Sequence, residues 1–175
     1  MNDIIINMAI TGAVFSKNEN YNLPITTHEI LNDIRKCYEL GISIIHLHVR
    51  DQHGRTSIEA ELYKPIIDKI RSNHPGLLIT VSANARGNKL SERKNVITKL
   101  KGDYKPDLVS VTLGNVNFRN ENVIISNTDV IELIKCANDN DIKPELEAFD
   151  IGMLNYAKYL FKKKILIDAN PYINI

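Results

Sequence analysis

The amino-acid sequence predicts a parallel α/β fold. Short apolar runs rich in β-branched residues recur about every 30 to 40 residues, and each has the length of a strand. Segments with helical periodicity lie between these runs, which is the pattern of right-handed βαβ units. The runs seldom alternate with polar residues, as expected for parallel strands that are covered on both faces. Roughly five βα units and the start of a sixth strand fit within the 175 residues.

Three strands and two helices are predicted in the first half of the chain. The strands cover residues 4–10, 44–51 and 77–81. The first helix begins with a capping box, in which Thr26 is the N-cap and Glu29 the third helical residue, and Gly41 ends it. The second helix follows the apolar positions from Leu62 to Ile70. It contains Pro65, so we expect the regular helix to begin or kink near that residue.

The second half of the chain continues the same order of elements. Its predicted helices cover residues 91–100, 129–138 with Asn127 or Thr128 as the N-cap, and 153–163. Its predicted strands cover residues 108–113, 145–149 and 171–175, the last only begun. Because side chains alternate along a strand, Glu145, Glu147 and Phe149 are expected on one face, opposite Leu146 and Ala148.

Two architectures are consistent with this order of elements. A complete barrel of eight βα units takes about 250 residues, so residues 1–175 would form a single, truncated barrel domain. An open parallel sheet is the alternative, and it suits the length better. Against the open sheet, the turn that begins with Thr11 and Gly12 lacks the G-x-G-x-x-G pattern of dinucleotide-binding sheets.

The composition argues against several classes of function. Lys and Arg total 22 against 21 for Asp and Glu, so the net charge is +1 and shows no signature of nucleic-acid or anionic-membrane binding. No apolar stretch approaches the roughly 18 residues of a membrane span, and we see no signal peptide. The two cysteines, Cys37 and Cys136, lie far apart in predicted helices. We therefore expect a cytoplasmic protein with a small-molecule ligand.

Two histidines lie two residues apart in the second predicted strand. His46 and His48 should share one face of that strand because side chains alternate. Neighbouring imidazoles would repel each other if protonated and would need partners if neutral, and a divalent metal satisfies both conditions. Zinc is the usual metal for such nitrogen ligands. The alternative is that each histidine is a hydrogen-bonded core residue.

Six groups of residues resemble, in the same order, the motifs of the β-keto acid cleavage enzymes. They are Ala9-Ile10-Thr11-Gly12-Ala13, Asn22-Leu23-Pro24-Ile25-Thr26, His46-Leu47-His48-Val49-Arg50-Asp51 with Gly54-Arg55, the loop that begins at Ser82, Gly114-Asn115-Val116-Asn117-Phe118, and Pro144-Glu145-Leu146-Glu147 with Gly152. Each motif alone is weak, but the collinear set covers the whole chain. On this resemblance the chain is identified as a member of that family.

The resemblance implies an incomplete TIM (β/α)8 barrel and a zinc-dependent reaction. Members of the family run a Claisen-type exchange in which a β-keto acid and acetyl-CoA, the co-substrate, give acetoacetate and a new CoA thioester. One such activity belongs to lysine fermentation and uses 3-keto-5-aminohexanoate. The implied site residues are the zinc ligands His46 and His48, the substrate-binding Ser82, Ser110 and Asn115, and the catalytic Glu147. A structural carboxylate inside the barrel is the alternative for Glu147.

Two departures from the family pattern bear on the substrate and on the completeness of the site. Val14 stands where members that act on the amino-substituted keto acid have a glutamate, so an uncharged or otherwise different β-keto acid is expected. The family's third zinc ligand, a glutamate, and its catalytic arginine and aspartate would all lie beyond Ile175. We therefore expect this chain to be inactive or incomplete alone, and to form a homo-oligomer or to pair with a complementing C-terminal chain.

Two other functions stay open from the sequence. One is a non-catalytic half-barrel that serves as a remnant or an oligomerisation module. The other is a metal-dependent hydrolase with His-x-His on a barrel strand. The remaining histidines disfavour the hydrolase, since His28, His53 and His74 all fall in predicted loops or helix starts rather than at strand ends.

Overall fold

The computed structural model describes residues 4–118, 121–168 and 170–175, in which a helix lies between each parallel strand and the next along the chain. The helices are α1 (Thr27–Glu39), α2 (Ala60–Asn73), α3 (Leu90–Lys99), α4 (Asn127–Asp139) and α5 (Ile151–Lys162). The strands are β1 (Asn7–Ile10), β2 (Ile44–Leu47), β3 (Val49–Arg50), β4 (Thr56–Ser57), β5 (Leu78–Val81), β6 (Leu108–Thr112), β7 (Val116–Asn117), β8 (Asn122–Val123), β9 (Lys143–Glu147) and β10 (Tyr172–Asn174). No helix in the described part of the chain is long and apolar enough to cross a membrane.

The first of two units consists of Met1–Ser82 and Lys99–Asp107. Its main sheet is parallel, with the strand order β1-β2-β5. The central strand β2 is buried along its whole length, and helix α1 packs against β1 and α2. The register aligns Ala9, His46 and Thr80 across the three strands. Residues aligned in this way project from the same face of a sheet.

Strand β1 is shorter and more exposed than the sequence predicts. The expected strand began at Ile4, whereas β1 begins at Asn7 and the preceding isoleucines are exposed. Its own Ala9 is exposed as well. The prediction of a strand covered on both faces is therefore wrong for β1, because β1 lies at the edge of the unit's sheet and pairs with β2.

The predicted strand over residues 44–51 is interrupted at His48. Strand β2 ends at Leu47, and β3 leaves the parallel sheet to pair with β4 in an antiparallel hairpin that the sequence did not reveal. The hairpin turn is closed by the Gly54 amide, which donates to the Asp51 carbonyl at 2.9 Å. Gly54 has a φ of 75°, a backbone conformation that glycine adopts without strain.

Helix α1 has the predicted start, whereas α2 does not. The Thr26 hydroxyl accepts a hydrogen bond from the Glu29 amide, and the Glu29 side chain accepts from the Thr26 amide, which completes the capping box. Gly41 follows the helix with a φ of 92°. Helix α2 begins at Ala60 and contains Pro65 within it, so of the two alternatives a start at the proline is wrong, and a kink there stays a prediction.

The second unit consists of Ala83–Thr98 and Leu108–Ile175. Its main sheet is parallel with the order β6-β9-β10, and α4 packs against β6 and β9. Strands β7 and β8 form a separate antiparallel pair. The N-cap of α4 is Ser126, whose hydroxyl accepts from the Asp129 amide at 3.0 Å, so neither Asn127 nor Thr128 has that role.

Strand β9 lies two residues earlier than predicted. It covers Lys143–Glu147, and its pairing with β6 and β10 confirms that Glu145 and Glu147 occupy alternate positions on the same strand. Phe149 lies beyond the strand and is 63% exposed, so its predicted place beside the two carboxylates is wrong. The sequence places the strand end too late because the buried Ala148 continues the alternation of apolar residues, although it lies beyond the strand.

The capping box makes the stability of the chain depend on pH. The Lys17 ammonium and the amides of Thr26 and Ile25 lower the pKa of Glu29 from 4.5 to about 2. Because the folded-state pKa is the lower one, Glu29 stabilises the fold fully above pH 4.5 and loses that effect as the pH falls toward 2. Urea denaturation of Glu29→Gln should therefore show a flatter decline over this pH range than the wild type.

Glu59→Gln is the matched control for this prediction. Glu59 precedes α2, is exposed, and makes no side-chain capping hydrogen bond. Its variant should follow the wild-type pH profile. Equal slopes for Glu29→Gln and the wild type would contradict the assigned role of the capping box.

Candidate active site

His46 and His48 form a pair at the end of β2. The two ring centroids are 5.1 Å apart, and the ring planes are inclined by 27°. His46 is the last but one residue of the strand and is buried, while His48 follows the strand and is half-buried. The alternation of side chains thus brings both imidazoles to the same side, as the sequence predicts.

The histidine pair suits a metal as two nitrogen donors. Zinc binds imidazole nitrogens at about 2.0–2.1 Å, so side-by-side rings can reach one ion. Within residues 4–118, 121–168 and 170–175, no three His, Cys, Asp or Glu side chains are grouped so that they could hold a metal ion. The described residues therefore offer two of the three or four protein ligands that zinc sites usually have.

Arg50 fixes the loop that follows β1. Its buried guanidinium donates to the carbonyls of Gly12 at 2.8 Å, Phe15 at 3.0 Å and Gly54 at 3.1 Å. Burial lowers the pKa of Arg50, but an arginine side chain remains protonated at neutral pH. Val14 lies on the loop held in this way and is 53% exposed. Arg50 belongs to the motif that contains His46 and His48, but its contacts with carbonyls 38 and 35 residues away follow no local pattern, so this structural role could not be predicted.

Ser82 and Ser110 are both buried. The Ser110 hydroxyl accepts a hydrogen bond from the Ala83 amide at 3.2 Å. The carbonyl of Ser82, rather than its hydroxyl, accepts from the Tyr63 hydroxyl at 3.1 Å. Burial raises the pKa of Tyr63, so this hydroxyl stays a donor. The described contacts of both serines therefore hold the backbone that follows β5.

Asn115 holds the β7–β8 pair. Its side-chain oxygen accepts a hydrogen bond from the Ile125 amide at 2.8 Å. Asn115 lies between β6 and β7, and Ile125 follows β8, so this hydrogen bond joins the two ends of the segment that contains β7 and β8. The contact gives Asn115 a structural role beside its predicted part in substrate binding.

Glu147 is the last residue of β9, and Thr112 is the last residue of β6. The Thr112 hydroxyl donates to the Glu147 carboxylate at 2.6 Å, a short and therefore strong hydrogen bond. Glu145, two residues earlier, is fully buried and accepts from the Asn174 amide group at 3.1 Å. Two carboxylates thus follow one another along β9, and both are fixed by polar side chains on neighbouring strands.

Arg93 is a buried cation that the sequence analysis missed. It lies on α3 with 2% of its surface exposed, and its Nε donates to the Ala83 carbonyl at 2.8 Å. Burial lowers the pKa of Arg93, whereas attraction to Asp129 and Glu147 raises it. The signal was present in the spacing, because Arg93, Val96 and Ile97 occupy the i, i+3, i+4 positions of one helix face.

Ala83 is therefore held from both sides of its backbone. Ser110 accepts from its amide, and Arg93 donates to its carbonyl. These two contacts lie within the second unit and fix the first residue of the loop 83–88. The loop is thus positioned by a buried hydroxyl and a buried guanidinium rather than by sheet pairing.

Polar and ionisable side chains gather at the carboxyl ends of parallel strands in both units. In βα-repeat proteins, that end of the strands is where active sites lie. His46 belongs to β2 and Glu147 to β9, while Ser82 directly follows β5. Each unit therefore carries polar side chains at the strand ends where α/β enzymes of the barrel class carry theirs.

The family follows from comparison with known proteins. A family model for beta-keto acid cleavage enzymes matches residues 3–175, and the chain therefore belongs to that family. It is 32% identical over 164 residues to the 3-keto-5-aminohexanoate cleavage enzyme of Acetoanaerobium sticklandii, covering 93% of this chain and 59% of that protein. It is also 32% identical to the 3-oxoadipate:acetyl-CoA acetyltransferase of Cupriavidus necator, covering 86% of this chain and 51% of that protein. The chain thus spans little more than half the length of these relatives.

Solved structures support the predicted fold class. ObcA, in a ternary complex with a C4-CoA adduct and oxalate, is similar with a TM-score of 0.76 at 19% identity, covering 87% of this chain and 36% of that chain. A 2,3-dimethylmalate lyase gives a TM-score of 0.53 at 9% identity, covering 95% and 55% of the two chains. At these identities the likeness concerns the fold alone. The incomplete (β/α)8 barrel is therefore confirmed over the open-sheet alternative.

Replacing Arg93 tests whether the buried guanidinium holds the loop at Ala83. Arg93→Met keeps the apolar stem but removes the donor to the Ala83 carbonyl, which leaves that buried acceptor unpaired. We expect the free energy of unfolding to fall by about 2 kcal/mol. Urea denaturation measures this loss.

Lys94→Met is the control, because Lys94 is the next residue on the same helix and its ion pair with Glu132 is partly exposed. Such a pair contributes about 0–1 kcal/mol. An Arg93→Met variant no less stable than Lys94→Met would contradict the assigned role of Arg93.

Proposed function

We propose that this chain provides the histidine-bearing part of a zinc-dependent enzyme that exchanges acyl groups between a β-keto acid and acetyl-CoA. Family membership and the activity of the Cupriavidus relative, a 3-oxoadipate:acetyl-CoA acetyltransferase, support the reaction class. The main structural support is the pair of neighbouring imidazoles at His46 and His48.

The proposed reaction exchanges one carbon–carbon bond for another. The bond between the keto carbon and the α-carbon of the β-keto acid breaks, and the α-carbon forms a new bond to the carbonyl carbon of the acetyl group. As that bond forms, the acetyl carbon separates from the CoA sulfur, and the same sulfur then takes the acyl group released from the keto acid. The products are acetoacetate and a new CoA thioester, and negative charge develops on the α-carbon and its carboxylate during the exchange.

His46 and His48 would hold the zinc, whose chemistry as a Lewis acid is to stabilise developing negative charge on oxygen. The two rings meet the requirement for adjacent nitrogen donors. Arg50 supports the site from the same motif, since its guanidinium fixes the loop after β1 through three backbone carbonyls.

Glu147 is the proposed catalytic residue. A partly buried carboxylate at a strand end is suited to proton transfer, and the hydrogen bond from Thr112 orients it. Arg93 and Glu147 attract each other, and this attraction raises the pKa of the buried Arg93. Ser82, Ser110 and Asn115 stay predicted substrate-binding residues; the contacts described for Ser110 and Asn115 also position the adjacent backbone.

The proposed substrate is a β-keto acid without an ammonium group on its acyl part. Val14 lies exposed on the loop that Arg50 fixes, and an apolar side chain offers no partner to a cation. This choice distinguishes the chain from the Acetoanaerobium relative, a 3-keto-5-aminohexanoate cleavage enzyme, whose substrate bears an amino group. Homo-oligomer formation or pairing with a complementing chain stays part of the proposal.

A complementation assay tests the proposed reaction. The chain is co-expressed with the segment of the Acetoanaerobium relative that lies beyond its match to this chain, and acetoacetate formation from acetyl-CoA is measured with zinc. We expect activity with 3-oxoadipate or 3-oxopentanoate, and a weaker response to 3-keto-5-aminohexanoate. Glu147→Gln should lower kcat by about 100-fold or more, because general acid–base groups contribute at least that much.

His28→Gln is the control for this assay, since His28 is exposed on α1 and should leave the rate unchanged. A co-purifying complex that forms no acetoacetate with any of the three keto acids would contradict the proposed reaction. Equal rates for Glu147→Gln and the wild type would contradict the role of Glu147 alone.

A further inference from the structure

Thr80 has a fully buried hydroxyl without a hydrogen-bond partner among the described residues. Burying a hydroxyl in this way destabilises a fold by about 1–3 kcal/mol. Other hydroxyls of the chain do have partners in the protein: Thr11 donates to Pro24, Thr56 to Ala13 and Thr112 to Glu147. The cost at Thr80 therefore calls for a partner that the folded chain does not itself provide.

The register of the first unit places Thr80 beside the histidine pair. Thr80 on β5 is aligned with His46 on β2, and the two strands are direct neighbours in a parallel sheet. Aligned residues project from the same face, and neighbouring strands lie about 4.8 Å apart. Thr80 and the His46 ring therefore share one face of the sheet.

The chemistry of these groups indicates the ligand. A hydroxyl donates a hydrogen bond to an oxygen acceptor, and a metal held by imidazole nitrogens also binds oxygen atoms. A ligand that is rich in oxygen would therefore suit both groups. We propose that Thr80 is a further binding residue of the site, whose hydroxyl donates a hydrogen bond to an oxygen of the β-keto acid at His46 and His48. The identity of this ligand rests on the proposed function. The observation that the Thr80 hydroxyl has no hydrogen-bond partner among the described residues is independent of that function.

The test compares Thr80→Val with Thr80→Ser. Valine keeps the branched shape of threonine and removes the hydroxyl, whereas serine keeps the hydroxyl. Urea midpoints are measured in EDTA, with zinc chloride, and with zinc chloride plus increasing acetoacetate, the simplest β-keto acid. Thr56→Val is the matched control, because the Thr56 hydroxyl donates to the Ala13 carbonyl at 3.0 Å.

Two results are expected. In EDTA, Thr80→Val should be at least as stable as the wild type, whereas Thr56→Val should lower the folding equilibrium constant roughly two- to tenfold. With zinc and acetoacetate, the wild type and Thr80→Ser should be stabilised. Thr80→Val should show at least about fivefold weaker apparent affinity for acetoacetate, since one hydrogen bond to a charged oxygen is lost.

Three results would overturn the inference. They are a loss of stability of Thr80→Val in EDTA equal to that of Thr56→Val, an acetoacetate affinity unchanged in Thr80→Val, and no response of the zinc-loaded wild type to acetoacetate. Failure of the proposed zinc site is recognised separately, because zinc chloride alone would then stabilise the wild type no more than His46→Ala.

Discussion

The alternation of side chains along β2 is the constraint on which the candidate site depends. Ile45 and Leu47 are fully buried, and the residues between and after them are the two histidines. A shift of one residue in the register of β2 would place the histidines on the opposite face and the aliphatic side chains in their place. Pairing with both β1 and β5 fixes the register, so the same contacts that bury the strand also bring the two imidazoles together.

Buried guanidinium groups hold the loops in place, as strand pairing holds the sheet. Arg50 binds three backbone carbonyls in the first unit, and Arg93 binds the Ala83 carbonyl in the second. Loop carbonyls lack the partners that a sheet provides, and a buried arginine offers up to five donors from a single side chain. The loops that follow β1 and β5 are therefore held by charged hydrogen bonds, which suits segments that must keep a defined shape beside an active site.

The sequence predicted the βα order, the capping box and the placement of both histidines, because these depend on local periodicity and alternation. It misplaced β9 by two residues, since Ala148 is buried beyond the strand end. It also missed the β3–β4 hairpin, because strands of two residues are too short to show an alternating pattern. The role of Thr80 could not be predicted for a different reason: an ordinary strand threonine becomes informative only when its register neighbour and its unmet hydrogen bond are known.

Zinc binding by the histidine pair is the central claim, and zinc X-ray absorption spectroscopy tests it most directly. The chain loaded with one equivalent of zinc should show scattering from two imidazole nitrogens at about 2.0–2.1 Å. That scattering should be lost in the His46→Ala, His48→Ala double variant and kept in His28→Ala. A zinc spectrum without imidazole scattering, or one that is identical in the wild type and the double variant, would contradict the account.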